Sequence, residues 1–409
     1  MGVTVDHRTY NFAFRNLNRV ARIAERLGLT DAELVPEHLL QKAILQAGCS
    51  DFGSPSFREG LHQIVAASNQ APLTPLAKII AARTYIEAAT TRLKLQQLKK
   101  TSPEIFDAPI ERPIFVLGFP RSGTTVLQNL LAMSPGRRAL QFWELTRPIP
   151  ELTEPREDEQ QRIRTTQSIL RIAYLASPEM RRVHAIEATS YEECWPLFCP
   201  SFSVLNWDLG AGISDYGDWL LHSDMVHTYT EYRELLQVLA AREPSKRLIL
   251  KCPEHLWFLD SLLEVFPDAA IVWAHRDPFR SIASYCSLIS MQWRTMYGVL
   301  RPEQIGAHIS ERFAEGIDRA LQVRDRVGEE HFFDVRFQEL IQDQPGIIEA
   351  IGERFQFTPP KRQQMDSYLR AKRKDARGEH RYEPEIYGLN EPKIQERFRA
   401  YSGRFLTPT

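Results

Sequence analysis

The sequence predicts an α/β fold in which a parallel sheet lies between two layers of helices, preceded by a helical region. Three observations carry this. Four short, largely apolar runs, at residues 114–117, 247–251, 270–274 and 332–335, have strand length. The first and third lead directly into helical sequence, and short apolar strands alternating with helices are those of a parallel sheet covered on both faces. The first run also opens into Gly118-Phe119-Pro120-Arg121-Ser122-Gly123-Thr124-Thr125, where two glycines stand four residues apart. That is the spacing of a loop that cradles phosphate between a strand and a helix. The expected architecture is therefore a P-loop-like three-layer αβα sheet with an N-terminal helical region.

In chain order, residues 1–105 are expected to form a helical cap or assembly region. Ile23-Leu27-Leu29 and Leu39-Leu40-Ile44-Leu45 repeat at roughly helical spacing. Over residues 75–100, Leu76, Ile79, Ile80, Ala82, Tyr85, Ile86, Ala89 and Leu93 form one apolar stripe, with Thr74 before Pro75 as its cap. Residues 106–409 are expected to be the nucleotide-binding domain. An insertion at about 151–240 begins with a charge run and becomes aromatic-rich through Trp195, Phe198, Phe202, Trp207, Tyr216, Trp219, Tyr229 and Tyr232. It reads as a helical lid, and equally as the wall of an apolar pocket for a substrate.

Bulk properties exclude several classes. The chain has 409 residues, 43% hydrophobic and 25% charged, enough for a large core. A net charge of −1 argues against a nucleic-acid binder. The five cysteines, Cys49, Cys194, Cys199, Cys252 and Cys286, include a single close pair, so no zinc framework is expected and the thiols read as reduced. No apolar run reaches the ~18 residues of a membrane span. Residues 1–29 lack a signal-peptide core, and the expected location is the cytoplasm.

Two constellations carry chemistry. In the loop, backbone N–H groups at a helix N-terminus favour an anion. Ser122, Thr124 and Thr125 add hydroxyl donors, and Arg121 adds a forked cation suited to phosphate or sulfate oxygens. The lysine of an ATP- or GTP-binding loop is absent, with Thr124 in its place. The second constellation follows two other strands. Lys251-Cys252-Pro253-Glu254-His255 ends one, and His275-Arg276-Asp277-Pro278 ends the next, with Ser284 eight residues beyond Arg276. A helix turning back across the strand end would bring Ser284 near Arg276, a pair able to hold a second phosphate.

With these residues in view, the chain resembles the sulfotransferases that use 3′-phosphoadenosine 5′-phosphosulfate (PAPS), and most of all their bacterial-type branch. The loop 118–125 is similar to that family's element for the 5′-phosphosulfate, and Arg276 with Ser284 to its 3′-phosphate element. Trp143-Glu144-Leu145, Lys251 to Leu256, Tyr387-Gly388-Leu389 and Asp51-Phe52-Gly53 resemble the same branch. The resemblance implies that Gly118, Arg121, Ser122, Gly123, Thr124 and Thr125 hold the 5′ end and that Arg276 and Ser284 hold the 3′-phosphate. Arg377-Gly378 would complete that second pocket, on a looser match. Arg121 and Lys251 would stabilise charge on the transferring group and the leaving phosphate. Two residues compete as general base. His255 resembles the base of cytosolic sulfotransferases, and Glu144 that of the tyrosylprotein enzymes. A neutral imidazole suits the task, whereas a carboxylate needs desolvation to raise its pKa. His184, preceding Glu192-Glu193-Cys194, would line the acceptor site.

The implied reaction is sulfuryl transfer from PAPS to a hydroxyl, or in second place an amine, of a small-molecule or carrier-bound acceptor. It would need no metal, no nucleic acid and no membrane span, and a homo-oligomer is compatible with it. The rival readings are a P-loop kinase or nucleotidase, disfavoured by the absent lysine and by the lack of an obvious magnesium carboxylate, and a non-catalytic nucleotide-binding protein on the same fold.

Overall fold

The computed structural model of the protein describes residues 12–28, 33–176, 185–375 and 383–407. Five strands form one all-parallel sheet in the order β2-β3-β1-β4-β5. They are β1 (Ile114–Gly118), β2 (Arg137–Ala139), β3 (Arg247–Lys251), β4 (Ala270–His275) and β5 (Phe332–Arg336). Four of these are the runs read from the sequence. The fifth, β2, was not expected, because it is three residues long and begins with two arginines. Both side chains are nevertheless buried at this sheet edge. Arg137 lies over the Phe357 ring at 4.2 Å, and Arg138 pairs with Glu144 and, at 2.8 Å, with Glu243.

Alternation along the strands divides the interior into two cores. Ile114 and Val116 of β1 join Ile249, Val272 and Ala274 under the helices Thr124–Ala132 and Gln344–Arg354. Phe115 and Leu117, with Leu250, Ile271 and Trp273, face the opposite way into a larger core shared with the N-terminal helices and residues 195–240. The three-layer αβα arrangement follows from this two-sided burial.

The long helix Pro75–Thr101 starts where the sequence indicated, with the Thr74 hydroxyl accepting from the Ala77 N–H at 3.2 Å. Its buried face differs from the expected stripe. Ala77, Ala81, Tyr85, Ala89 and Leu93 turn inward, and Ile80 is exposed. The alanines on this face let neighbouring helices approach closely. Next to Leu93, Arg92 is fully buried. It donates to the carbonyls of Phe52 and Ser54 at 2.8 and 2.9 Å and pairs with Glu231 at 2.7 Å. This guanidinium ties the front helices to the aromatic region, which consists of a short 3₁₀ turn, Trp195–Ser201, and the helices Leu205–Ala211, Ser214–Leu221 and Val226–Ala240.

At the other side of the sheet, Asp334 on β5 accepts from Arg324 through both oxygens, at 2.7 Å each, and from His275 Nε2 at 2.7 Å. His275 is buried, and its ring stacks on Phe405 at 4.1 Å. Burial acts to raise the Asp334 pKa, but the bonds from Arg324 and His275 outweigh it and hold the carboxyl well below its usual range. Its folded-state pKa is depressed, so its stabilising contribution is present above the unfolded carboxylate pKa and is lost as pH falls below about 4. Asp334→Ala leaves two buried donors facing an empty place. It should lower the unfolding free energy by about 1–3 kcal/mol, read from urea denaturation at neutral pH, and an unchanged midpoint would contradict this role.

Candidate active site

The connection leaving β1 runs toward β2 and the one leaving β4 runs toward β5, so the crevice between the carboxyl ends of β1 and β4 is the topological switch point of the sheet. The loop after β1 and the Arg276 turn after β4 meet there. Gly118, with φ of 136°, pairs with Ala274, and a Cβ at Gly118 would overlap the Ala274 carbonyl oxygen. Gly123, with φ of 92°, caps the helix Thr124–Ala132 and fits under Leu340. Arg121 adopts φ of 70° between them. With a glycine as its cap, the helix begins without a side-chain acceptor for its first N–H groups.

The side chains of the loop divide into two roles. Ser122 is buried, and its hydroxyl donates to the Phe119 carbonyl at 2.6 Å, bracing the turn from within. Arg121 and Thr125 are exposed, and Thr124 is buried at the helix start. From the end of β4, Arg276 donates to the carbonyl of Arg121 and lies over the Phe337 ring at 4.4 Å. The two constellations expected from the sequence are thus in direct contact. Asp277 is occupied in capping the helix Pro278–Tyr297, accepting from the Arg280 N–H at 2.8 Å and from Gln395 at 2.9 Å. Ser284 lies on the buried side of that helix, and one turn before it Ser281 buries a hydroxyl with no partner among the described residues. Phe337, the flat support under Arg276, gave no sequence signal.

These features suit a dianionic ligand: a glycine-lined loop, an uncapped helix N-terminus, two arginines, and buried hydroxyls on the adjoining helix. Among the described residues, no group of three or more His, Cys, Asp or Glu converges to hold a metal ion. His184, Arg377 and Gly378 lie outside the described residues.

The expected bases sit in different surroundings. Glu144 is buried in a capping box: it accepts from the Gln141 N–H at 2.9 Å, pairs with Arg138, and lies 3.7 Å from Arg242. His255 is fully buried. Its Nδ1 bonds the Tyr229 hydroxyl at 2.8 Å, its Nε2 lies 3.4 Å from Cys194 Sγ, and its ring stands edge-on to Phe115. Lys251, opposite Val116 in the register, is also buried, and its ammonium lies 3.2 Å from Glu193 Oε1. Burial acts to lower the Lys251 pKa, but the Glu193 and Glu192 carboxylates outweigh it and raise it. Glu193 itself remains partly exposed. Its place is fixed by its neighbour: the Cys194 N–H donates to the Lys251 carbonyl at 3.0 Å. The adjacent carboxylates of Glu192-Glu193 were the sequence signal for this residue, which had no role of its own in the expected site.

Beyond this edge lies a cavity of about 410 Å³, lined by Ile80, Tyr85, Trp195, Trp207, Met291 and Met296 among others. It contains two of the aromatic residues expected to form either a lid or a pocket wall. Of the others, Phe198, Phe202, Tyr216, Tyr229 and Tyr232 are core, and Trp219 is partly buried against it.

The fold and this crevice define the class: a P-loop-like α/β transferase. The family model for the sulfotransferase family matches residues 113–358, more than half of the chain, which therefore belongs to that family. The structure is similar to the crystal structure of sulfotransferase STF1 from Mycobacterium tuberculosis H37Rv, with a TM-score of 0.80, 29% identity, and coverage of 91% of this chain and 100% of that one. It is also similar to sulfotransferase STF9 from Mycobacterium avium, with a TM-score of 0.77, 29% identity, and coverage of 92% and 98%. The omega-hydroxy-beta-dihydromenaquinone-9 sulfotransferase Stf3 of Mycobacterium bovis is 29% identical over 124 residues, which are 30% of this chain and 31% of that protein. The chain thus spans about a third of the length of the curated relatives it matches.

One buried acid beside the site sets a pH dependence. Glu254 accepts from the Leu205 N–H at 2.6 Å and the Asn206 N–H at 3.3 Å. Burial nevertheless pushes its pKa up to about 8, against the two N–H bonds, which lower it. The folded-state value exceeds the unfolded one, so the contribution from proton uptake is complete below about pH 4.5 and is lost as pH rises toward 8. Relative to Glu254→Gln, the wild-type melting temperature should fall across that window, and parallel pH profiles would contradict the assignment.

Proposed function

We propose that the protein transfers a sulfuryl group from PAPS to a hydroxyl on a largely apolar acceptor. The observation that carries the donor half is the contact of Arg276 with the loop carbonyl of Arg121 at the β1/β4 crevice, which forms one clamp with two cationic arms. On this reading the N–H groups starting the helix Thr124–Ala132, with Arg121, Thr124 and Thr125, hold the 5′-phosphosulfate. Arg276 and Ser284 hold the 3′-phosphate, with Arg377 and Gly378 as further candidates. Ser122 shapes the turn. Bound PAPS supplies an activated sulfuryl group whose bond to the 5′-phosphate breaks as the acceptor oxygen attacks sulfur.

The proton of the acceptor hydroxyl has to go to a base that the acceptor can reach. Of the candidate groups, Glu193 is the one that combines partial exposure with a place at the carboxyl end of β3, beside Lys251. We assign it as the base on its reach, since His255 and Glu144 are enclosed by fixed partners, with the buried Lys251 ammonium 3.2 Å away orienting it. His255 then acts as a positioning residue that holds Cys194, and through it Glu193, while Glu144 fixes the start of the segment Phe142–Thr146. The apolar cavity supports an acceptor with an apolar body. The relative named for an omega-hydroxylated dihydromenaquinone supports an alcohol on such a body.

The donor half is tested by thermal shift. 3′-Phosphoadenosine 5′-phosphate should raise the melting temperature and magnesium-ATP should leave it nearly unchanged, whereas a larger shift with magnesium-ATP would favour a kinase. Arg276→Ala should weaken binding of the first nucleotide at least about tenfold, the scale of one charge-assisted contact.

The base is tested with labelled PAPS and a panel of hydroxylated acceptors. Glu193→Gln should lower kcat about 100-fold or more, the scale of a lost general base, with donor affinity kept. His255→Asn should affect stability more than kcat. The opposite pattern, with Glu193→Gln harmless and His255→Asn inactive but folded, would return the role to His255.

A further inference from the structure

The helix Phe12–Arg26 has three distinct sides. Phe14 and Ala21 turn inward and are buried. Arg15, Arg19, Arg22 and Arg26, spaced four, three and four residues apart, form one exposed stripe. Val20, Ile23 and Leu27 form another, at 64%, 55% and 68% exposure. The helix carries four arginines against one glutamate, Glu25, although the whole chain has a net charge of −1. Beside it packs the helix Pro155–Ala176, which repeats the pattern. Ile172 and Leu175 are 67% and 76% exposed, with the exposed Arg171 beside Ile172 and the exposed Arg164 two turns earlier.

Isolated exposed apolar residues are ordinary, but a run of them across two touching helices is not. An apolar stripe flanked by arginines is the pattern of a helix lying in the plane of a bilayer interface, with its apolar side among the acyl chains and its cations among the headgroups. Among the described residues, no helix is long and apolar enough to cross a membrane. The surface also has a direction. Phe14 of the first helix, Ala173 of the second and the exposed Ile80 all line the 410 Å³ cavity, so both helices border it.

We infer that these two helices form a docking surface for an anionic lipid bilayer, through which an apolar alcohol dissolved in the membrane reaches the cavity. The docking stands on the helices themselves; the delivery of an acceptor rests on the function proposed above. Charge decides between a bilayer and a second copy of the chain as the occupant. The arginine stripe of one copy would face the same stripe on another, or would need an acidic partner face that this patch does not supply.

Vesicle flotation with the full chain tests this. The protein should float with vesicles of phosphatidylcholine containing about one-third phosphatidylglycerol, and at least about tenfold less with phosphatidylcholine alone or at about 0.5 M salt. Val20→Asp with Ile172→Asp, and separately Arg15→Gln with Arg19→Gln and Arg22→Gln, should each reduce flotation at least about tenfold. Both variants should keep the thermal shift with 3′-phosphoadenosine 5′-phosphate, which shows that they are folded. Absence of wild-type flotation on anionic vesicles overturns the proposal. So does a dimer in sedimentation that the aspartate variant dissolves while vesicles bind neither form. Flotation without any nucleotide shift would instead sink the donor reading and leave the docking surface standing.

Discussion

The close approach of β1 and β4 at Gly118 is the constraint on which the site depends. The two strands run in register from Ile114 opposite Ala270 to Gly118 opposite Ala274. At the last pair there is no room for a side chain on β1. The loop therefore leaves the sheet directly beside the end of β4, and Arg276 needs only one further residue to reach its backbone. Residues far apart in sequence thus meet at one crevice without any long connection. A cation and a helix N-terminus aimed at the same point raise the local potential more than either alone, and the effect is strongest where the surroundings exclude water.

That geometry needs a fixed β4 end. His275, immediately before Arg276, is held by Asp334, by the Tyr401 hydroxyl and by the Phe405 ring. Asp334 is in turn held by Arg324. A buried ion is costly unless it is fully partnered, and the buried Arg324 guanidinium has both Asp334 and Glu329. The C-terminal helix Arg399–Phe405 thereby supports the crevice directly: its Tyr401 packs on Phe119 of the loop, bonds the Arg276 backbone and holds His275. This places Arg276 on a rigid element, which suits a group that must meet a phosphate without reorganising.

Much of this was legible in the sequence, and what was missed has physical reasons. The four apolar strands and the loop were readable because burial on both faces leaves no polar alternation to confuse the pattern. β2 was not, because its two arginines are hidden by Phe357, Glu144 and Glu243, partners that only the fold supplies. In the helix Pro75–Thr101 the large residue Ile80 looked inward-facing, whereas the close-packed face uses alanine. Glu144 and His255 were conspicuous as titratable residues near the motifs. The structure surrounds both with fixed partners, and sequence spacing carries no information about such partners. Arg92 carried no sequence signal, yet it is the buried joint between the front helices and the aromatic region.

The helix Pro278–Tyr297 links the two halves of the reading. Its first turns follow Arg276 and carry the buried Ser281 and Ser284, and its far half supplies Met291 and Met296 to the apolar cavity. Seven residues separate Ser284 from Met291, a rise of about 10 Å. One rigid element thus sets the separation between Ser284 and the cavity. A compact polar sugar has no apolar surface to match Trp207, Met291 and Tyr85, and burying its hydroxyls there without partners would be unfavourable. An apolar body with a terminal hydroxyl matches that lining, and on the function proposed above the cavity would select for it.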